Sequence, residues 1–155
     1  MKTVPAFLTL LVFCGLTVAD ENADDVAARQ KAFAERMSNT TLTGSFTVDT
    51  RLDETPKPER YEIERVSRLT GNLYTFLVRI KYGSVDSRVP ITVPVIWADD
   101  TPMISLTDQK LPGMKGKFSA RVIFHGDRYV GTWQHDSVGG HMFGVISKNK
   151  PTEKK

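Results

Sequence analysis

The residues best suited to chemistry near neutral pH are three histidines, and their spacing decides how many can act together. His135 and His141 bracket Asp136-Ser137-Val138-Gly139-Gly140, a turn-forming run, so they flank one hairpin. His125 precedes Gly126-Asp127, which marks the turn before it. Successive turns of a meander fall at opposite ends, and a strand of about seven residues at roughly 3.3 Å each puts His125 more than ~20 Å from the others. This reading excludes a three-histidine site. It leaves His135 and His141 facing each other across the mouth of the hairpin, with Trp133 and Phe143 sharing their parity. Two imidazoles make an incomplete zinc site, which takes three or four protein ligands. Asp53, Glu54 or Asp86, in turns expected at the same end, would have to complete it. The simpler use of the pair is a cross-strand polar contact that closes one end of the domain. No metal, no catalytic residue and no cofactor is assigned. Trp133, His135, His141 and Phe143 are the candidate binding residues.

Other reactive groups carry less. Asp99-Asp100 precedes Thr101-Pro102, where aspartate caps its own backbone in a turn. Neighbouring carboxylates in a strand would point to opposite faces and could not share a substrate. Asn39-Thr40-Thr41 fits the glycosylation acceptor pattern, but its place between a helical and a strand pattern suits a helix terminator. No serine lies in a Gly-x-Ser-x-Gly turn, and no Gly-rich phosphate loop is present.

Elements to hold these residues are legible from periodicity. Val26, Phe33 and Met37 form a thin apolar stripe, predicting a helix over Ala23 to Met37 with Asn22 as N-cap. From Thr41 the period becomes two. Strands are expected around Leu42–Val48, Tyr61–Ile63, Tyr74–Tyr82, Val89–Trp97, Ile104–Leu106, Phe118–Phe124, Tyr129–Trp133 and Phe143–Val145. Short turns between them predict a mainly β antiparallel meander of about eight strands, forming a small barrel, closed or split, or a sandwich. Pro90 and Pro94 share one face and each lacks a ladder donor, so the fourth strand needs an edge or a bulge there, which favours an open or split barrel over a fully closed one. A second apolar set lies on the opposite parity: Leu73, Leu77, Ile96, Ile123, Val130, Met142 and Ile146. It is expected to receive the helix stripe.

Compartment follows from the start of the chain. Lys2, an apolar run from Val4 to Leu16, and Thr17-Val18-Ala19 before Asp20 read as an export signal over residues 1–19. The run is too short to span a ~30 Å hydrocarbon core. Leu11-Val12-Phe13-Cys14 lacks the small residue that a lipid-attachment box requires before its cysteine, so the exported protein is expected to be periplasmic or secreted and not anchored at Cys14. Residues 20–40 hold the helix and junction, 41–147 the β domain, and 148–155 a flexible basic tail. Cys14 is the only cysteine, so the processed domain has no disulfide and relies on its core. Removing Lys2 leaves 20 basic and 18 acidic residues; without the tail the balance is 16 to 17. A nearly neutral body lacks the basic patch that nucleic-acid binding uses.

Two stretches carry a resemblance. Tyr129-Val130-Gly131-Thr132-Trp133-Gln134-His135 with Gly139-Gly140-His141-Met142-Phe143-Gly144, together with Gly44-Ser45-Phe46 and Val93-Pro94-Val95-Ile96-Trp97-Ala98, resembles a family of small exported bacterial proteins of unknown function. More distantly, Gly131-x-Trp133 is similar to the lipocalin-like (calycin) barrels, which enclose small apolar ligands and carry that motif near their first strand. The expected function is a non-catalytic binding or interaction module of the envelope or periplasm. It would act as a monomer with no membrane span, on an envelope partner or a small apolar ligand. The alternative is a small hydrolase-like or metal-dependent enzyme using His135 and His141 at the barrel mouth. Intact-mass measurement of the exported protein should give the chain beginning at Asp20; a mass carrying diacylglycerol on Cys14 would reverse the assignment.

Overall fold

The computed structural model describes residues 22–82, 85–112 and 114–150. The export signal with Cys14, and residues 151–155 of the basic tail, lie outside the described residues. The elements are α1 (Ala23–Met37), β1 (Thr40–Phe46), a 3-10 turn (Asp49–Arg51), β2 (Lys57–Thr70), β3 (Leu73–Tyr82), β4 (Val85–Ala98), β5 (Thr101–Gln109), β6 (Phe118–His125), β7 (Arg128–His135) and β8 (Val138–Lys148). Each strand pairs antiparallel with the next, and β8 returns to β1, closing an eight-stranded barrel.

The helix forms where the stripe predicts it. Asn22 Oδ1 accepts from Asp24 N at 3.2 Å, and Asp24 and Asp25 meet the positive end of the helix dipole. It stops at Ser38-Asn39, where Asn39 takes a positive φ of 55°. Ser38 Oγ donates to the Ala34 carbonyl at 2.7 Å and accepts from Val66 N at 2.9 Å, fixing the helix end to β2. Lys148 Nζ donates to the Glu35 and Ser38 carbonyls at 3.0 and 2.8 Å, a cation at the negative end. Asn149 N donates to Asn39 O at 2.9 Å. Lys148 and Asn149 therefore belong to the barrel end, not to the tail in which composition groups them.

The helix does not lie on the outer wall as the second apolar set suggests. Only Ser38 and Asn39 separate it from β1, and two residues reach about 7 Å, too little to travel down the wall. It closes the mouth instead. Phe33 enters the barrel end and meets Tyr74 and Trp97 edge-on, with both ring centroids 5.6 Å away, and Phe124 at 5.9 Å. Met37 is fully buried beneath it.

Inward positions of the strands fill the interior with Leu42, Ile63, Val66, Phe76, Val78, Val93, Val95, Leu106, Val122, Tyr129 and Met142. Ile63 and Val66 are three apart yet both buried, because a register shift between Ile63 and Arg65 resets the alternation of β2. In β8 the structure reverses the expected phase: Met142 is buried, whereas Phe143 and Val145 are about half exposed.

Both prolines of β4 fall where a donor is not needed. Val95 N donates to Asn72 O at 2.8 Å, towards β3, so the even positions of β4 point towards β5. The β4–β5 ladder covers only Val95–Ala98, which leaves Pro90 and Pro94 outside it. The ring closes, contrary to the open or split barrel the prolines suggest, because the short β4–β5 seam leaves Pro90 and Pro94 outside the ladder. Phe33→Ala should cost about 3–5 kcal/mol in denaturant unfolding, while Val26→Ala, half-exposed one turn from the helix start, should cost under about 1 kcal/mol.

Candidate functional site

His135 and His141 do not face each other. The register pairs His135 with Val138 and Thr132 with His141, so His135 shares the inward phase of Trp133 and His141 is on the outer face. His135 stacks on Phe118, with centroids 4.1 Å apart, and its Nε2 is 2.7 Å from the Lys115 carbonyl. His141 Nδ1 is 3.3 Å from Thr47 Oγ1 and 3.8 Å from Asp49 Oδ1. The three carboxylates considered as a third ligand are not brought to either ring: Asp86 is held by Arg79 at 2.7 Å, Glu54 lies 3.8 Å from Arg51, and Asp53 makes no contact with a histidine. His125 stands at the opposite end, in the β6–β7 hairpin, as the meander requires. Trp133 helps close the far end: its Nε1 donates to Thr47 O at 3.2 Å and its ring meets Phe46 edge-on at 5.8 Å.

A different polar cluster occupies the interior. Glu59 is 5% exposed and accepts from Tyr61 OH at 2.7 Å and from Tyr129 OH at 2.8 Å. Burial raises the Glu59 pKa, and the two phenol donors only partly oppose it. Burial and the adjacent carboxylate push the Tyr129 phenol well above its ordinary range, so it stays a donor. Glu59 precedes the Tyr61–Ile63 span expected for the second strand, although Glu59, Tyr61 and Ile63 share one parity and all lie in β2. That alternation was the available signal.

The outer wall divides in two. Around β2, β3 and lower β4 the exposed residues form ion pairs: Arg60–Glu62 at 3.1 Å, Arg79–Asp86 at 2.7 Å and Arg88–Glu64 at 2.6 Å. From upper β4 to β8 the wall carries an apolar row between polar positions such as Arg121, Thr132 and Gln134. Register places Ile96 opposite Met103, Met103 opposite Ile123, Ile123 opposite Val130, and Val130 opposite Phe143. Five apolar side chains thus form one row across five strands, with Ile96, Ile123, Val130 and Phe143 between 38% and 54% exposed. Val145 extends the row, and Arg121 and Arg128 border it. A hollow of about 430 Å³ opens in this row between Ile123, Val130, Phe143 and Val145, with Gly144 beneath and His125 and Arg128 at its edge. A second, more polar hollow of about 490 Å³ lies lower on the same side, lined by Asp49, Arg121, Trp133, Gln134 and His141. Phe143 lines the first hollow and Trp133 and His141 the second. His135 lines neither.

Comparison with protein-family models, with curated proteins and with solved structures finds no match to this chain. The architecture is consistent with a calycin-like fold. No helix among the described residues is long and apolar enough to cross a membrane.

Because folding raises the Glu59 pKa, its contribution favours the native state fully below the ordinary glutamate range. That contribution is lost as pH rises through the folded value. Glu59→Gln should therefore flatten the decline of stability above that range, measured by urea unfolding between pH 4 and 8. Glu59→Ala, which strips the acceptor from two phenols, should cost about 2 kcal/mol or more.

Proposed function

We propose that this protein is an exported, non-catalytic interaction module that docks an envelope partner through the outer wall of β4 to β8. The observation that carries the reading is the in-register row Ile96–Met103–Ile123–Val130–Phe143. Exposed apolar side chains scattered singly are ordinary; a contiguous band rimmed by polar groups marks a contact surface. The interior supports the same choice. It holds aromatic and aliphatic side chains, a helix stopper and a bonded carboxylate, which suits a scaffold better than a carrier of apolar molecules.

The apolar-packed interior and the ion-paired wall of β2 and β3 are the reverse of a lipid-embedded barrel, whose outer face is apolar all round. Arg121 and Arg128 border the apolar row, and the outward strand positions from β5 to β8 carry no carboxylate outside Asp108. Two copies meeting on this wall would bring like charges together, which favours a monomer and a partner bearing carboxylates beside an apolar strip. The hydrolase or metal reading depended on two imidazoles sharing a face, and they do not.

Site-specific photocrosslinking in the source cells tests the proposal. A photoreactive residue at Val130 or Phe143 should give one discrete adduct, and one at Arg60 none. Val130→Asp should weaken capture of that same partner at least tenfold while leaving unfolding stability within about 0.5 kcal/mol, as expected of an exposed position. Equal labelling from both walls, or none from either, would remove the docking role.

A further inference from the structure

We propose that the apolar hollow on β6 to β8 receives the last residue of the docked partner, an apolar side chain whose own terminal carboxylate is held by Arg128 and His125. This rests on the docking reading and specifies which part of the partner the wall takes. The hollow, about 430 Å³, is walled by Ile123, Val130, Phe143 and Val145. Gly144 lies beneath it, where the Tyr129 ring leaves no room for a side chain. The four walls are between 39% and 54% exposed, so an incoming side chain would cover them without any strand having to open.

Positive charge lies one step along the strands. Register pairs Ile123 with Val130 and Val130 with Phe143; the next outward pairs are His125 with Arg128 and Arg128 with Val145. Outward neighbours on one strand are two residues, about 7 Å, apart, and cross-strand partners about 5 Å. Arg128 therefore stands at the edge of the hollow, with His125 on one flank and Val145 on the other. Among the described residues neither Arg128 nor His125 has a side-chain hydrogen bond or ion pair, although Asp127 lies between them in the turn. On the opposite wall Arg79 and Arg88 are both paired, with Asp86 at 2.7 Å and Glu64 at 2.6 Å. Arg36 adds a further cation at this turn, its Nη2 donating to Gly126 O at 3.3 Å. The Arg128 guanidinium is a permanently charged fork of donors, and His125 offers an N–H in either protonation state. An apolar recess with unpaired donors and positive charge on its rim specifies an apolar group joined to a carboxylate. A chain terminus meets that requirement. In an extended partner laid along the row, an acidic residue next to the inserted side chain points away from the wall. The terminal carboxylate is carried on the Cα of the inserted residue itself and is free to turn towards Arg128.

Backbone-amide NMR of the exported chain tests the assignment with two short acetylated peptides, Gly-Ser-Gly-Ser-Ala-Leu and Gly-Ser-Gly-Ser-Ala-Phe. Each is titrated as the free acid and as the C-terminal amide. Saturable shifts at Ile123, Arg128, Val130 and Val145 are expected with at least one free acid, and its amide should bind at least tenfold more weakly. Arg128→Gln should keep the parent's melting temperature and reduce the free acid to the affinity of the amide. A lower melting temperature would mean that the guanidinium already has a partner inside the chain, and would overturn the proposal. So would equal binding of acid and amide, shifts confined to other faces, or no shift with either acid. An amidated peptide with an internal aspartate, Gly-Ser-Gly-Leu-Asp-Ser, binding as tightly as the free acid would do the same. The docking wall is judged separately, by the adduct at Val130: a partner crosslinked there and still captured after loss of its last residue would keep the wall and remove this inference.

Discussion

Crowding inside the seam between β8 and β1 is the constraint on which the rest of this barrel depends. The Tyr129 hydroxyl crosses the interior to reach Glu59, and Trp133 turns towards Thr47 O at the far end. The strands beside them have no room for inward side chains. A Cβ on Gly44 would collide with the Tyr129 hydroxyl and the Phe143 carbonyl, and one on Gly144 with the Tyr129 ring and the Thr43 carbonyl. Gly140, opposite Trp133, is hemmed in by Thr47 and the Trp133 indole. Inward glycines at 140 and 144 fix the phase of β8. Met142 and Ile146 must then face in, and His141, Phe143 and Val145 must face out. The separation of the two histidines and the apolar outer row are thus consequences of packing one tyrosine and one tryptophan.

That phase was the part of the sequence hardest to read. Met142, Phe143, Val145 and Ile146 are apolar on both parities, so a period of two gives no preference between them. The glycines would have decided it, because a residue without a side chain on the inward face is informative only once its bulky neighbours are known. Elsewhere the alternation was unambiguous. Tyr74, Phe76 and Val78 are buried as their spacing requires, and the helix runs over Ala23 to Met37 with Asn22 capping it. The bulge at Glu64 in β2 hid Val66 by breaking the alternation. Glu59 was hidden by its type, since a lone glutamate near two prolines reads as a turn. Its burial is tolerable only because two phenols, one of them seventy residues away, supply donors. Nothing local announces a contact of that range.

The two halves of the outer wall solve different problems. On β2, β3 and lower β4, pairs such as Arg79–Asp86 are exposed, and such pairs contribute little to stability. Their value is a solvated face, and the free side of lower β4 needs one. There the strand has outrun its β5 partner, and Pro90 and Pro94 offer no donor to an incoming strand. The other half is fully laddered, so protection against strand addition is unnecessary, and it bears apolar groups instead. A surface that is closed to β-augmentation yet apolar is suited to side-chain contact alone.

Closing the mouth raises a further conflict. A domain without disulfides has to exclude water from its core by packing, and the direct solution is to press the helix into the open end. Phe33 and Met37 do so with two residues of linker, and Lys148 and Ser38 hold the helix end in place. The aromatic collar that receives Phe33 includes a tyrosine and a tryptophan, however, and a purely apolar stopper gives their polar atoms no acceptor. Phenylalanine at 74 would seal the mouth with no such loss. A collar chosen only for stability would have it, so the hydroxyl at Tyr74, set beside two arginines, is the feature of this end that packing does not explain.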